Sequence, residues 1–157
     1  MQQGATEPPK TDPIEKEVWI AARPETIFPF LTDPKKLVLW KGLDAILDPR
    51  PGGIYRCIVN PGNIARGEYM AVVPFTLVRF TWGWEGEGSP VPPGASIVEI
   101  TLIPQGSGTL LRLRHSGLPE TERPQHAVGW DHFLQRLTVV AAGGDPGPDP
   151  WVQRNPM

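Results

Sequence analysis

One long amphipathic helix after a run of strands constrains the fold of this chain more than any other feature. From about Glu122 to Ala142, apolar residues recur at helical spacing and form one stripe: Trp130, Phe133, Leu134, Leu137 and Val140. Before it, residues 43–115 alternate between apolar and polar side chains and are interrupted by Gly and Pro turns. Strands in hairpin succession form an antiparallel sheet with one buried face, and the long helix is the element available to cover that face.

The remaining elements complete an α+β pattern. A strand is predicted over residues 14–21, and a helix that begins near Pro24 continues through Leu31. Asp33 is placed to cap a second short helix that ends near Trp40. Six further strands are expected over residues 43–47, 54–59, 64–73, 76–82, 96–102 and 109–115.

The prolines and glycines predict where the folded part begins and ends. The chain has 157 residues, which fits one domain, yet it contains 20 Pro and 17 Gly. Many of these prolines lie near the two ends, so we expect flexible tails over residues 1–13 and 143–157. The domain itself is expected to span residues 14–142.

Charge and cysteine content narrow the partners and the compartment. The net charge of −2 offers no basic excess for nucleic acid. Cys57 is the only cysteine, so no intramolecular disulfide can form, which favours the reducing cytoplasm. The N-terminus has no apolar segment typical of a signal peptide, and no run of about 18 apolar residues predicts a membrane helix.

Five short motifs occur in a characteristic order: Arg50-Pro51-Gly52-Gly53, Gly67-Glu68-Tyr69, Phe80-Thr81-Trp82, Gly108-Thr109 and Gly129-Trp130. In this order and spacing the chain resembles the Hsp90 ATPase activator-like family of the START-like (SRPBCC) superfamily. The resemblance implies the helix-grip fold, in which a curved antiparallel sheet of about six to seven strands wraps around a long C-terminal helix and leaves an apolar cavity. The chaperone activator itself resembles a two-domain protein, whereas this chain has only a short tail before its first strand, which argues against chaperone activation.

The cavity implied by this fold defines the candidate ligand-binding residues. They are Trp40, Tyr55, Cys57, Tyr69, Trp82, Trp84, Leu111, Leu113, His115, Trp130 and Phe133. The tryptophans offer either stacking surfaces for a flat or lipid-like ligand or ordinary core packing. Trp84 lies beside a loop rich in Gly, Pro and Glu, so we expect it to be half-exposed, as a lip of the cavity.

The polar candidates allow more than one interpretation. His115 shares the strand parity of Leu111 and Leu113, so it is expected to point inward, either as a polar anchor for a ligand or as a hydrogen-bonded structural histidine. Strand parity also places Cys57 inside, as an inert thiol. The chain has neither an HExxH nor a CxxC motif, and His126 and His132 lie on different helix faces, so no metal, cofactor or catalytic residue is predicted.

Three functions are compatible with this sequence. The first is non-catalytic binding of a small hydrophobic molecule, which is aromatic, polyketide-like or lipid-like. The second is an enzyme resembling the cyclases and dehydratases of the superfamily, with His115, Tyr69 and Tyr55 as acid–base candidates. The third is a protein-interaction module, and a homodimer is compatible with each of the three. An apolar cavity favours binding, two or more convergent polar groups favour an enzyme, and a filled core with an exposed apolar patch favours a protein partner.

Overall fold

A seven-stranded antiparallel sheet forms the body of the protein, whose computed structural model describes residues 12–153. The strands are β1 (Ile14–Ile20), β2 (Asp44–Leu47), β3 (Ile54–Asn60), β4 (Asn63–Val73), β5 (Leu77–Trp82), β6 (Ser96–Gln105) and β7 (Gly108–Ser116). Their order across the sheet is β1-β7-β6-β5-β4-β3-β2. The predicted hairpin succession is confirmed, and β1 adds the strand that pairs with β7.

The helices lie at the two ends of the strand run. They are α1 (Pro24–Ile27), α2 (Pro29–Thr32), α3 (Pro34–Leu37), α4 (Arg123–Ala141), which follows a 3₁₀ turn at Glu120–Glu122, and α5 (Pro150–Gln153). The single helix predicted over residues 24–31 is two short ones, because Pro29 has no N–H to continue the first. Asp33 caps α3 as expected, accepting a hydrogen bond from the Lys35 N–H at 2.9 Å. Among the described helices, none has the length and hydropathy needed to span a bilayer.

The core lies between the concave face of the sheet and α4. The predicted inward residues of β6 and β7 are buried, and so are the α4 residues Trp130, Phe133, Leu134 and Leu137. The opposite face of the sheet carries exposed cross-strand ion pairs, such as Arg112 with Glu17 at 2.6 Å. The sequence pattern of one apolar and one polar face therefore describes the real sheet.

A change of partner along β4 bends the sheet. Its first half, up to Glu68, pairs with β3, whereas its second half, from Tyr69, pairs with β5. At Gly67 the chain passes so close to Thr81 that any Cβ would overlap the Thr81 carbonyl oxygen, so this position requires glycine. The first half of β4 stays linked to the segment after β5, because the Arg66 N–H donates to the Gly83 carbonyl oxygen at 2.9 Å and Ala65 forms a bridge with Trp84.

Within the tail predicted over residues 143–157, the described part of the C-terminal segment packs on the domain. The Trp151 ring stacks on the His132 ring with their centres 3.9 Å apart. Asp149 is buried, accepts a hydrogen bond from the Trp151 N–H at 2.9 Å, and lies 2.8 Å from His132 Nε2. Proline content gave no sign of this docking, because one aromatic residue and one buried carboxylate anchor the segment. The N-terminal residues 1–11 and the last four residues lie outside the described part.

Candidate functional site

An aromatic cavity of about 400 Å³ lies beneath the first half of α4. Its apolar wall consists of Val59, Trp82, Trp84, Pro90, Gly129, Trp130, Phe133 and Trp151. Its polar groups are Lys41, Asn60, Asn63, Glu122, Gln125 and His126. β3, β4, β5 and the two C-terminal helices thus supply a cavity whose surface is mostly apolar.

Four of the predicted ligand-binding residues lie on this wall: Trp82, Trp84, Trp130 and Phe133. Trp84 is half-buried at the lip, where the sequence placed it. The remaining seven lie in the buried core: Trp40, Tyr55, Cys57, Tyr69, Leu111, Leu113 and His115. Strand parity correctly put six of these inside, all except Trp40, but parity does not distinguish the wall of a cavity from solid core.

His115 is a buried link in a hydrogen-bond chain that holds two of the wall tryptophans. Its Nδ1 accepts from Trp130 Nε1 at 3.0 Å, so its Nε2 carries the proton and donates to Ser96 Oγ at 2.9 Å. The Ser96 hydroxyl in turn donates to the Trp82 carbonyl at 2.9 Å. Burial, reinforced by the neighbouring His126 and Lys41, lowers the pKa of His115 to about 3, so the ring is neutral at pH 7. Both ring nitrogens therefore form hydrogen bonds within the protein. This matches the interpretation of His115 as a structural histidine and not as a polar anchor for a ligand.

The two tyrosines considered as acid–base groups are also engaged inside the core. The Tyr69 hydroxyl donates to the Leu31 carbonyl at 3.1 Å, and burial raises the pKa of Tyr69. Tyr55 stacks on Phe80 with ring centres 4.1 Å apart, and burial, reinforced by Cys57 and Tyr69, raises its pKa well above the usual value. Neither hydroxyl belongs to the cavity wall, so the geometry does not bring the three acid–base candidates together around a ligand.

Cys57 is fully buried behind the cavity. Its thiol lies 3.6 Å from the Lys41 carbonyl oxygen, and burial raises the pKa of the thiol. The nearby Lys41 opposes that rise, but burial dominates. These surroundings are those of an inert thiol, because the reactive form of cysteine is the thiolate.

One candidate binding residue that the sequence did not reveal is Lys41. It follows α3 and is only 2% exposed, although it carries a charge. Its Nζ lies 3.9 Å from the centre of the Trp82 ring and 4.4 Å from the centre of the Trp130 ring. The rings of Tyr55 and Phe133 lie 5.9 Å away, so four aromatic residues surround one ammonium group. A lone lysine in a turn after Trp40 is normally read as solvated, and no pattern around it in the sequence indicates otherwise.

The environment of Lys41 is unfavourable for a cation. Burial lowers the pKa of Lys41 from 10.5 to about 8, an effect only partly opposed by Cys57. At pH 7 the side chain is therefore still mainly the ammonium form. The interaction with the faces of the two indole rings offsets part of the lost hydration.

Two buried hydrogen-bond donors of the cavity wall have no acceptor among the described residues. They are Lys41 Nζ and Trp82 Nε1. The ammonium lies over the ring system of the same tryptophan, so the two unpaired donors are neighbours. Buried polar groups in native proteins are nearly always hydrogen-bonded, and exceptions often mark functional positions.

The lip of the cavity is held by a second hydrogen-bond chain. Trp84 Nε1 donates to His126 Nε2 at 2.9 Å, so His126 Nδ1 carries the proton and donates to the Glu122 carbonyl at 2.7 Å. This chain fixes the Trp84 ring against the first turn of α4. Among residues 12–153, no group of three or more His, Cys, Asp or Glu side chains is arranged to hold a metal ion.

A bent antiparallel sheet closed by one long C-terminal helix, with an aromatic cavity between them, defines a START-like helix-grip domain. The chain belongs to the family described as activator of Hsp90 ATPase homolog 1-like protein, whose profile matches residues 21–142. The resemblance drawn from the five sequence motifs is thereby confirmed. A comparison with curated protein sequences finds no match.

Solved structures share this fold over most of the chain. An AHSA1-like protein from Rhizobium etli is 46% identical, with 96% of this chain and 93% of that chain covered and a TM-score of 0.73. DynU16, a putative protein in the dynemicin biosynthetic locus, is 26% identical, with 87% and 49% covered and a TM-score of 0.75. The Aha1 dimer from Colwellia psychrerythraea is 22% identical, with 85% and 98% covered and a TM-score of 0.74, a likeness of fold.

Proposed function

We propose that this domain binds a small hydrophobic, aromatic or lipid-like molecule in the cavity beneath α4. The observation that carries the proposal is the cavity itself: it measures about 400 Å³, and its lining includes four tryptophans and one phenylalanine. Sites for small molecules are typically apolar concavities of about 300–1,000 Å³ with a few polar groups. The presence of DynU16 in a biosynthetic locus supports a role in handling small molecules.

The driving force for binding is the removal of apolar surface from water. Each Å² of buried apolar area contributes about 25 cal/mol, and flat rings gain further from stacking against indoles. Affinity should therefore increase with the apolar area of the ligand, and the heat-capacity change should be negative.

Gly129 provides a way to close the cavity without disturbing the core. It lies on the wall within α4, and a Cβ at this position would meet no atom within 4 Å. Leucine at this position extends into the open space, while both alanine and leucine are better helix formers than glycine by about 0.5–1 kcal/mol. Gly129→Leu should therefore fold at least as stably as the parent protein and have its cavity blocked.

The experiment is a titration of tryptophan fluorescence with naphthalene-sized aromatic compounds, fatty acids and hydrocarbons. We expect saturable quenching in the parent protein and in the control Gly129→Ala, and a loss of at least tenfold in affinity in Gly129→Leu. If no compound binds, or if Gly129→Leu binds as well as Gly129→Ala, this cavity is not the binding site. Binding of a protein partner would then be the better-supported function.

A further inference from the structure

The chemistry of the cavity wall indicates which kind of ligand the site accepts. Lys41 Nζ has three hydrogens and Trp82 Nε1 has one, and neither atom has a hydrogen-bond acceptor among residues 12–153. A wall built only for a hydrocarbon would have no use for these two buried donors. Both residues line the cavity, and both donor atoms are buried.

Aromatic rings alone do not account for a lysine at this position. A buried ammonium without a counter-charge is costly, and contact with ring faces offsets only part of that cost. A methionine or leucine would fill the same volume without that cost. The lysine therefore lowers the stability of the empty protein, which is typical of a position that serves binding.

We propose that the ligand carries an oxyanion, a carboxylate or an ionised phenol, which binds the Lys41 ammonium and accepts the Trp82 indole N–H while the aromatic body stacks on the wall. This inference rests on the proposed function and specifies its ligand class. A charge-assisted hydrogen bond in a water-poor site is stronger than a neutral one, and it would supply the acceptor that both donors lack. A neutral hydroxyl could accept a hydrogen bond from these donors, but it would not neutralise the ammonium charge.

The two donors belong to side chains that are in direct contact. Nζ lies over the Trp82 ring, 3.9 Å from its centre. On the opposite side the Trp130 ring lies 4.4 Å from Nζ, and its own nitrogen is already donated to His115. The Trp130 ring thus offers its face to the ligand and leaves the polar recognition to Lys41 and Trp82.

Two probes of nearly equal shape separate charge from apolar area. They are 2-naphthoate, which is anionic at neutral pH, and 2-naphthalenemethanol, which is neutral. Both are titrated by calorimetry at pH 7 into the parent protein, Lys41→Met, and Lys35→Met, which removes the same charge from an exposed position on α3. A Lys41→Gln variant, with a polar but uncharged side chain, is measured in parallel in case methionine alters the packing.

We expect the parent protein and Lys35→Met to bind naphthoate at least tenfold more tightly than the alcohol. In Lys41→Met and Lys41→Gln this preference should disappear, while the alcohol binds within about threefold of its parent affinity. Equal affinity for the two probes in the parent protein, or a preference that survives both substitutions, would overturn the oxyanion inference and leave the proposed function intact. If neither probe binds the parent protein, the oxyanion inference fails, while the proposed function is still decided by the fluorescence titration with fatty acids and hydrocarbons.

Discussion

Replacing the buried Lys41 with methionine should stabilise the protein at neutral pH. Lys41 is 2% exposed, and its Nζ has no hydrogen-bond partner among the described residues. Methionine has a similar length, no charge, and favourable contacts with aromatic rings, so it should fill the same space between Trp82 and Trp130. The substitution removes a destabilising charge without creating a cavity.

The size of the effect follows from the pKa of Lys41. Burial lowers it from 10.5 to about 8, and each pH unit corresponds to about 1.4 kcal/mol, so the charged form costs the folded state about 3 kcal/mol. The substitution also removes the cation–π contacts of Lys41, and this loss offsets up to about 2 kcal/mol of the gain. We therefore expect Lys41→Met to raise the free energy of unfolding by about 1–3 kcal/mol at pH 7.

The stability gain from removing the Lys41 charge should depend on pH, whereas a gain from better packing alone would not. Between pH 8 and 10.5 the unfolded chain still holds the Lys41 proton while the folded protein has released it, so the parent protein gains stability as pH rises. Below pH 8 both states are protonated and the full cost remains. The raised pKa values of Tyr55 and Tyr69 act in the opposite direction at high pH, but they are present in both proteins and cancel in the difference. The pKa of Cys57 is also raised, and in Lys41→Met it loses the opposing influence of Lys41, so Cys57 makes the advantage of the variant shrink further as pH rises.

The measurement is urea unfolding of the parent protein, Lys41→Met and Lys35→Met at several pH values from 7 to 10.5. The advantage of Lys41→Met should be largest at pH 7 to 8 and shrink steadily toward pH 10.5, whereas Lys35→Met should stay within about 0.5 kcal/mol of the parent. A Lys41→Met variant that is less stable at pH 7, or whose difference does not change with pH, would refute the reasoning. It would mean that the four aromatic rings around Lys41 stabilise the ammonium by more than burial destabilises it.

Three further substitutions or labels test the packing. Trp130→Ala should lose about 3–5 kcal/mol in chemical denaturation, because a buried indole of α4 is removed, and a loss below about 1 kcal/mol would place Trp130 outside the core. Cys57 should react slowly with a thiol probe in the native protein and rapidly in denaturant; fast native labelling would contradict its burial and raised pKa. Trp151→Ala should lose about 1 kcal/mol by breaking the stack on His132, lowering Tm by about 2–4 °C, and an unchanged Tm would show that the C-terminal segment is dispensable.

Periodicity by itself determined most of the fold. The alternation in β6 and β7 and the stripe on α4 identified the buried side of each element, because a strand repeats every two residues and a helix every 3.6. The same reasoning put Cys57 and His115 inside, where the structure has them. Five short motifs sufficed for the family, since turn and close-approach positions such as Gly67 restrict the residue that fits.

Only the tertiary structure decided which buried residues meet. Lys41 lies in a turn after α3, Trp82 ends β5, and Trp130 lies in α4. The contacts of the ammonium with these two indole rings therefore form only when three separate segments come together. Strand parity also could not show that both ring nitrogens of the inward-facing His115 form hydrogen bonds, with Ser96 and Trp130. A sequence pattern reports whether a side chain is turned away from water, whereas the chemistry of a site depends on its neighbours, and those are set by long-range packing.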